Sequence, residues 1–134
     1  MKNVCRVIFL AIALGMGLSM CAQSNQESEK PVITSPPKSL NLDPFYKKYM
    51  NVNGIPVCSS WRVPDSCFHA AYITFKALTD MLPKKVLKSL VDNGARVTIM
   101  ARYEGTTDVP EHAYLANDTT LNWDLRARGL GGTL

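Results

Sequence analysis

Asp108, Glu111 and His112 stand close together in TTDVPEHAYL, residues 106 to 115. Two carboxylates and an imidazole are groups that hold metal ions or move protons. As metal ligands they would offer mixed oxygen and nitrogen donors, but they flank Pro110 without the fixed one-turn spacing that marks a zinc helix. As an acid–base pair, Glu111 and His112 are adjacent residues whose side chains tend to diverge, and no nucleophile stands with them. The plainer reading is a polar loop in which Asp108 accepts backbone N–H groups while Glu111 and His112 lie at the surface. The three are candidates for lining a cleft. No residue is assigned a catalytic or metal-binding role.

The remaining reactive residues point the same way. His69 falls beside Phe68 near the start of an amphipathic segment, the setting of a histidine satisfied by backbone or water. Arg126 and Arg128 could clamp a carboxylate, or serve as solvated or structural charges. Trp61 and Trp123 lie in loop-like segments and could plug the core of a small domain. GLGG at 129 to 132 neither follows a strand nor opens a helix, so it is no phosphate loop. Lys84, Lys85 and Lys88 form the one tight basic cluster and read as a solvated helix face.

The elements that must position these residues come from a short chain. Its 134 residues, 46% of them apolar, allow one small domain with a modest core. MKNVCR, VIFLAIALGMGL and LSMCAQ supply the basic start, apolar run and small-residue end of an export signal over residues 1–22. The run is shorter than the ~20 residues a membrane-spanning helix needs. Leu-Ser-Met-Cys at 18 to 21 resembles a lipobox, in which Cys21 would carry a lipid; ordinary cleavage near Cys21 or Ala22 is the competing route. The expected address is the cell envelope, with a membrane anchor through Cys21, or else the periplasm or exterior. Without Lys2 and Arg6 the chain keeps 13 basic against 11 acidic residues, a net charge of +2. That is no electrostatic footprint for nucleic acid, and no nucleic-acid partner is expected.

Residues 23–42 are rich in Ser, Gln, Glu, Lys and Pro and read as a disordered tether. Beyond it Cys58 and Cys67 are the remaining thiols. Export permits a disulfide between them; two separately buried thiols, with Cys67 on the apolar face of a helix, is the alternative.

Residues 43–134 have the patterning of a globular domain. DPFYKKYM reads as a short helix capped by Asp43, Asn53-Gly54 as a tight turn, and IPVCSS as an extended segment that Pro56 confines to an edge or to irregular structure. An amphipathic helix follows, capped by Asp65 or Ser66, with Phe68, Ala71, Tyr72, Phe75, Leu78 and Leu82 inward. Pro83 starts a second helix with Val86, Leu87, Leu90 and Val91 inward and Gly94 at its left-handed end. ARVTIMA, residues 95 to 101, is the strongest strand, and the chain after Met100 reads as one long loop. The fold class expected is α+β, or a small α/β layer, with two or three helices on a short, incomplete sheet.

Three stretches, FYKKYMNVNGIPVCSS (45 to 60), VDNGARVTIMARYEGTTDVPEHAYL (91 to 115) and NWDLRARGLGGT (122 to 133), resemble the N-terminal part of a family of secreted bacterial zinc-metallopeptidase-like proteins. The resemblance implies that complete relatives continue into a strand and a helix bearing H-E-x-x-H, which supplies two zinc-ligating histidines and a water-activating glutamate. Neither His69 nor His112 belongs to such a motif. The expectation is therefore a truncated, non-catalytic N-terminal portion of a larger catalytic domain, without a cofactor of its own. Two other readings stand beside it: a stand-alone envelope lipoprotein that binds a protein or glycan through residues 102 to 124, and a small hydrolase using Glu111 and His112.

Overall fold

A computed structural model describes residues 30–131. The export signal, Cys21 and the first part of the tether lie outside the described residues. The described part is an α+β arrangement: strands β1 (Lys48–Val52) and β2 (Ile55–Ser59), helices α1 (Asp65–Asp80) and α2 (Lys84–Asp92), strand β3 (Val97–Ile99), and helix α3 (Trp123–Arg126). The three strands form one mixed sheet in the order β1-β2-β3.

Asn53 and Gly54 close the β1–β2 hairpin at φ 50° and 91°. Two successive left-handed residues turn the chain with the twist that paired strands require. Asn53 also ties the hairpin tip to the end of α1, its amide donating to Thr79 Oγ1 at 2.8 Å and Asp80 Oδ1 at 2.7 Å.

The helical expectation for DPFYKKYM is corrected. Asp43 does accept from the backbone, with Phe45 N 2.7 Å from its Oδ1, but the structure it caps is a single turn, and from Lys48 the chain is strand. The alternation of Met50 and Val52 inward with Asn51 outward has a period of two, and pairing with β2 rewards that pattern. The edge assignment of IPVCSS is also corrected, because β2 is the central strand. Pro56 is tolerated there because it faces Asn51 on one side, while β3 pairs only from Val57 onward. Its missing N–H falls outside the parallel ladder.

β3 runs parallel to β2. Parallel neighbours need a long crossover, and α1 and α2 supply it. α1 begins after the extended Pro64 with Asp65 as its first helical residue, and no side chain caps it. Asp65 acts instead as a negative group in the first turn, 2.6 Å from Lys48 Nζ. Phe68 is fully buried against Met50, Val52, Val57 and Val63, with Ala71, Tyr72 and Phe75 packed around them. Burying a ring of that size contributes roughly 1.5–3 kcal/mol.

Leu78 departs from the expected face. It is exposed, and Thr79 is buried in its place, donating to Phe75 O at 2.7 Å and accepting from Asn53. α2 departs more widely, since Val86, Leu90 and Val91 are all exposed and Leu87 is half-buried. Its terminus is as expected: Ala95 N reaches Leu90 O at 2.9 Å and Gly94 N reaches Val91 O at 3.0 Å, with Gly94 at φ 72°. That pair of bonds is a Schellman motif.

The end of the tether is part of the domain. Thr34 and Tyr49 exchange backbone bonds of 2.9 and 2.8 Å, Ile33 packs on the core, and Lys38–Leu40 forms a 3-10 turn. Ile33 and the backbone of Thr34 thus find partners that composition could not reveal.

Candidate functional site

The segment after β3 is not one long loop. It winds through two 3-10 helices, Thr106–Asp108 and Pro110–Asn117, before α3. Three polar clusters hold it in place.

The first surrounds Glu104, whose side chain is buried at the C-terminal ends of β2 and β3. One carboxylate oxygen, Oε2, accepts Ala101 N at 2.7 Å; the other accepts the hydroxyl of the equally buried Ser60 and lies 3.5 Å from Arg62 Nη1. Arg128 reaches across from the far end of the segment, donating to Glu104 O at 2.5 Å and Ala101 O at 3.1 Å. Every buried acceptor is matched by a donor, as burial of charge demands. Ser60 beside a carboxylate is the arrangement of an activated nucleophile, but both groups are sealed from solvent and a substrate could not reach them. Of the two readings of Arg128, structural charge is the one the geometry realises.

The second cluster binds TTD to α3. Asp124 accepts Thr107 N and Thr107 Oγ1, each at 2.8 Å, and these bonds, backbone first, hold its carboxyl below the usual range. Thr106 donates through its hydroxyl to Ala127 O. Gly105 makes room for this approach: a Cβ there would stand 2.5 Å from the Asp124 carboxylate. Asp108 turns back to its own loop, with Oδ2 accepting Gly105 N at 2.8 Å, the backbone role expected of it.

The third cluster lies behind β3. Glu111 accepts from Arg96 at 2.5 Å through one oxygen and from the Tyr46 hydroxyl through the other, while Tyr46 also touches Thr98 Oγ1 at 3.1 Å. Burial, then the bond to Glu111, raises Tyr46 above its ordinary pKa. Cys58 is buried in β2, and desolvation pushes its thiol up to about 11. A thiol so protonated is a poor nucleophile and a poor metal ligand.

The candidate triad is therefore dispersed. Asp108 serves its own turn and Glu111 an ion pair with Arg96, the residue before β3. Glu111 and His112 are both half-buried rather than at the surface. Among the described residues no three His, Cys, Asp or Glu side chains are grouped to hold a metal ion.

Cys58 and Cys67 are both free, and Cys67 is exposed on α1 rather than on its apolar face. Trp61 is exposed as well, so it plugs no core; Trp123 is half-buried, its Nε1 donating to Asp118 Oδ2 at 2.8 Å. Sequence reasoning missed Glu104, Tyr46 and Arg96. The available signal for Glu104 was its place five residues after β3, just before a glycine, where a lone acid can fold back onto a strand end. Tyr46 and Arg96 gave none, because their partners lie far away in sequence. Among the described residues no helix is long and apolar enough to cross a membrane. No family model, curated protein or solved structure matches the chain.

Proposed function

We propose that this chain is an exported, non-catalytic scaffold, the N-terminal portion of a zinc-metallopeptidase-like protein, tethered to the envelope through Cys21. One observation carries the non-catalytic part of the reading: the acids of TTDVPEH are committed to internal bonds, Asp108 to Gly105 and Glu111 to Arg96 and Tyr46. A carboxylate acting as general base must be free to meet a substrate. A hydrolase built on Glu111 and His112 would have to break the Arg96 pair first. The arrangement supports a scaffold in which 101–128 is a braced platform rather than a mobile lid.

Purification of the exported chain from a zinc-supplemented culture tests the reading. Metal analysis should find far less than one zinc per chain, and incubation with a mixed peptide library should give no cleavage that a chelator abolishes. Stoichiometric zinc together with chelator-sensitive cleavage would overturn it. The anchor has its own test: a clickable fatty acid should label the wild type and leave Cys21→Ser unlabelled, and an unlabelled wild type would remove the anchor.

A further inference from the structure

β2 and β3 are parallel, so both deliver their following loops to the same end of the sheet. The loop after β2 carries Ser60-Trp61-Arg62 and the loop after β3 carries Ala101-Arg102-Tyr103-Glu104. Glu104 binds Ser60 and approaches Arg62, which locks the two loops side by side.

This end of the sheet has an unusual surface. Trp61 is 67% and Tyr103 89% exposed, and each ring lies beside a guanidinium, Arg62 at 5.6 Å and Arg102 at 5.5 Å from the ring centre. Arg128 adds a third cation over the same loops. The acid that touches them, Glu104, is buried beneath. What faces solvent is two aromatic rings and a surplus of positive charge.

Part of the backbone here is already committed. Ala101 N and Arg62 N donate to side chains, Glu104 N donates to Ala101 O, and the carbonyls of Ala101, Glu104 and Val63 accept from Arg128 and Lys48. The side chains offer a ligand ring faces and guanidinium groups. Ring faces carry negative charge density that attracts the polarised C–H groups of a sugar ring, and guanidinium pairs with carboxylate. Nucleic acid offers the same two contacts, but its dense phosphate charge is normally met by a stripe of Lys and Arg, which this chain lacks.

We propose that this surface binds an acidic polysaccharide, with uronate-type sugar rings stacked on Trp61 and Tyr103 and their carboxylates paired with Arg62 and Arg102. The proposal does not depend on the zinc reading, since the surface shares no residue with Asp108, Glu111 or His112. It turns the scaffold into an adhesive one.

Calorimetric titration of the purified full chain with polygalacturonate tests it. Binding should be saturable, absent with neutral dextran, and weakened about tenfold in Trp61→Ala and in Tyr103→Ala. Arg102→Glu should weaken it at least as much and Arg102→Lys less, all with unchanged melting temperature, because these side chains are exposed. Absence of polygalacturonate binding, equal binding of polyglutamate or of an oligothymidylate, or full affinity in the ring variants would each overturn the proposal.

Discussion

At the scale of single residues, Gly105 shows how close packing of a carboxylate dictates an amino acid. Its φ of −87° is open to any residue, so conformational freedom is not the reason for glycine here. The reason is Asp124, which occupies the space a methyl group would need. Gly105→Ala should therefore push the exposed Asp124 carboxylate off Thr107 and cost about 1 kcal/mol. Most of that cost should vanish in the Asp124→Ala background, as a double-mutant cycle by urea denaturation would read. Glu104 makes a different argument, from burial of charge. Replacing it with Ala strands the Ser60 hydroxyl and Ala101 N–H and should cost about 3 kcal/mol, measured the same way. The thiols divide by exposure: in native protein Cys67 should react with a maleimide while Cys58, buried and held protonated, should react only after unfolding. Peptide mapping by mass spectrometry locates the adducts, and rapid labelling of Cys58 in the native state would contradict the burial.

At the scale of elements, acid sensitivity belongs to the segment that joins the second 3-10 helix to α3. Asp118 accepts from Thr120, Leu121 and Trp123, and these bonds hold its pKa at about 2, below the ordinary aspartate value. A depressed folded pKa stabilises the folded form above the unfolded pKa of about 4, and that contribution is lost as pH falls through the folded value. Trp123 emission should thus change between about pH 4 and pH 2, and Asp118→Asn should flatten the change. Elements were legible where local chemistry is self-sufficient: Asn53-Gly54 fixes a hairpin turn, Gly94 a helix end, and the run from Phe68 to Phe75 a helix. They were obscure where a distant partner decides. FYKKYM has aromatic and basic spacing that suits a helix, but pairing with β2 and Thr34 makes it strand. The segment after Met100 looked structureless because its order comes from Asp124, Arg128 and Arg96 reaching over long separations. The candidate site was legible only as a set of residue types: Asp108 took its expected turn role, while Glu111 was bound by Tyr46, 65 residues away.

At the scale of the whole molecule, the two crossover helices leave much of their apolar surface uncovered. Ile73, Leu78 and Met81 on or beside α1, and Val86, Leu90 and Val91 on α2, are all exposed. Sequence periodicity found the apolar stripe of α2 but placed it inward, whereas Val86, Leu90 and Val91 are exposed, because the three described strands offer too little surface to cover two helices. Apolar surface on this scale is a liability in water and takes up hydrophobic dyes. The full chain should therefore bind anilinonaphthalene sulfonate while folded, with a cooperative melt confirming that the dye is not reporting a loosened core. Leu78→Glu combined with Val86→Lys should reduce the dye signal severalfold. Because neither side chain is buried, the melting temperature should stay within about 4 °C of the parent. A collapse of the melt would place these residues in a packed core, and an unchanged dye signal would place the exposed apolar surface elsewhere.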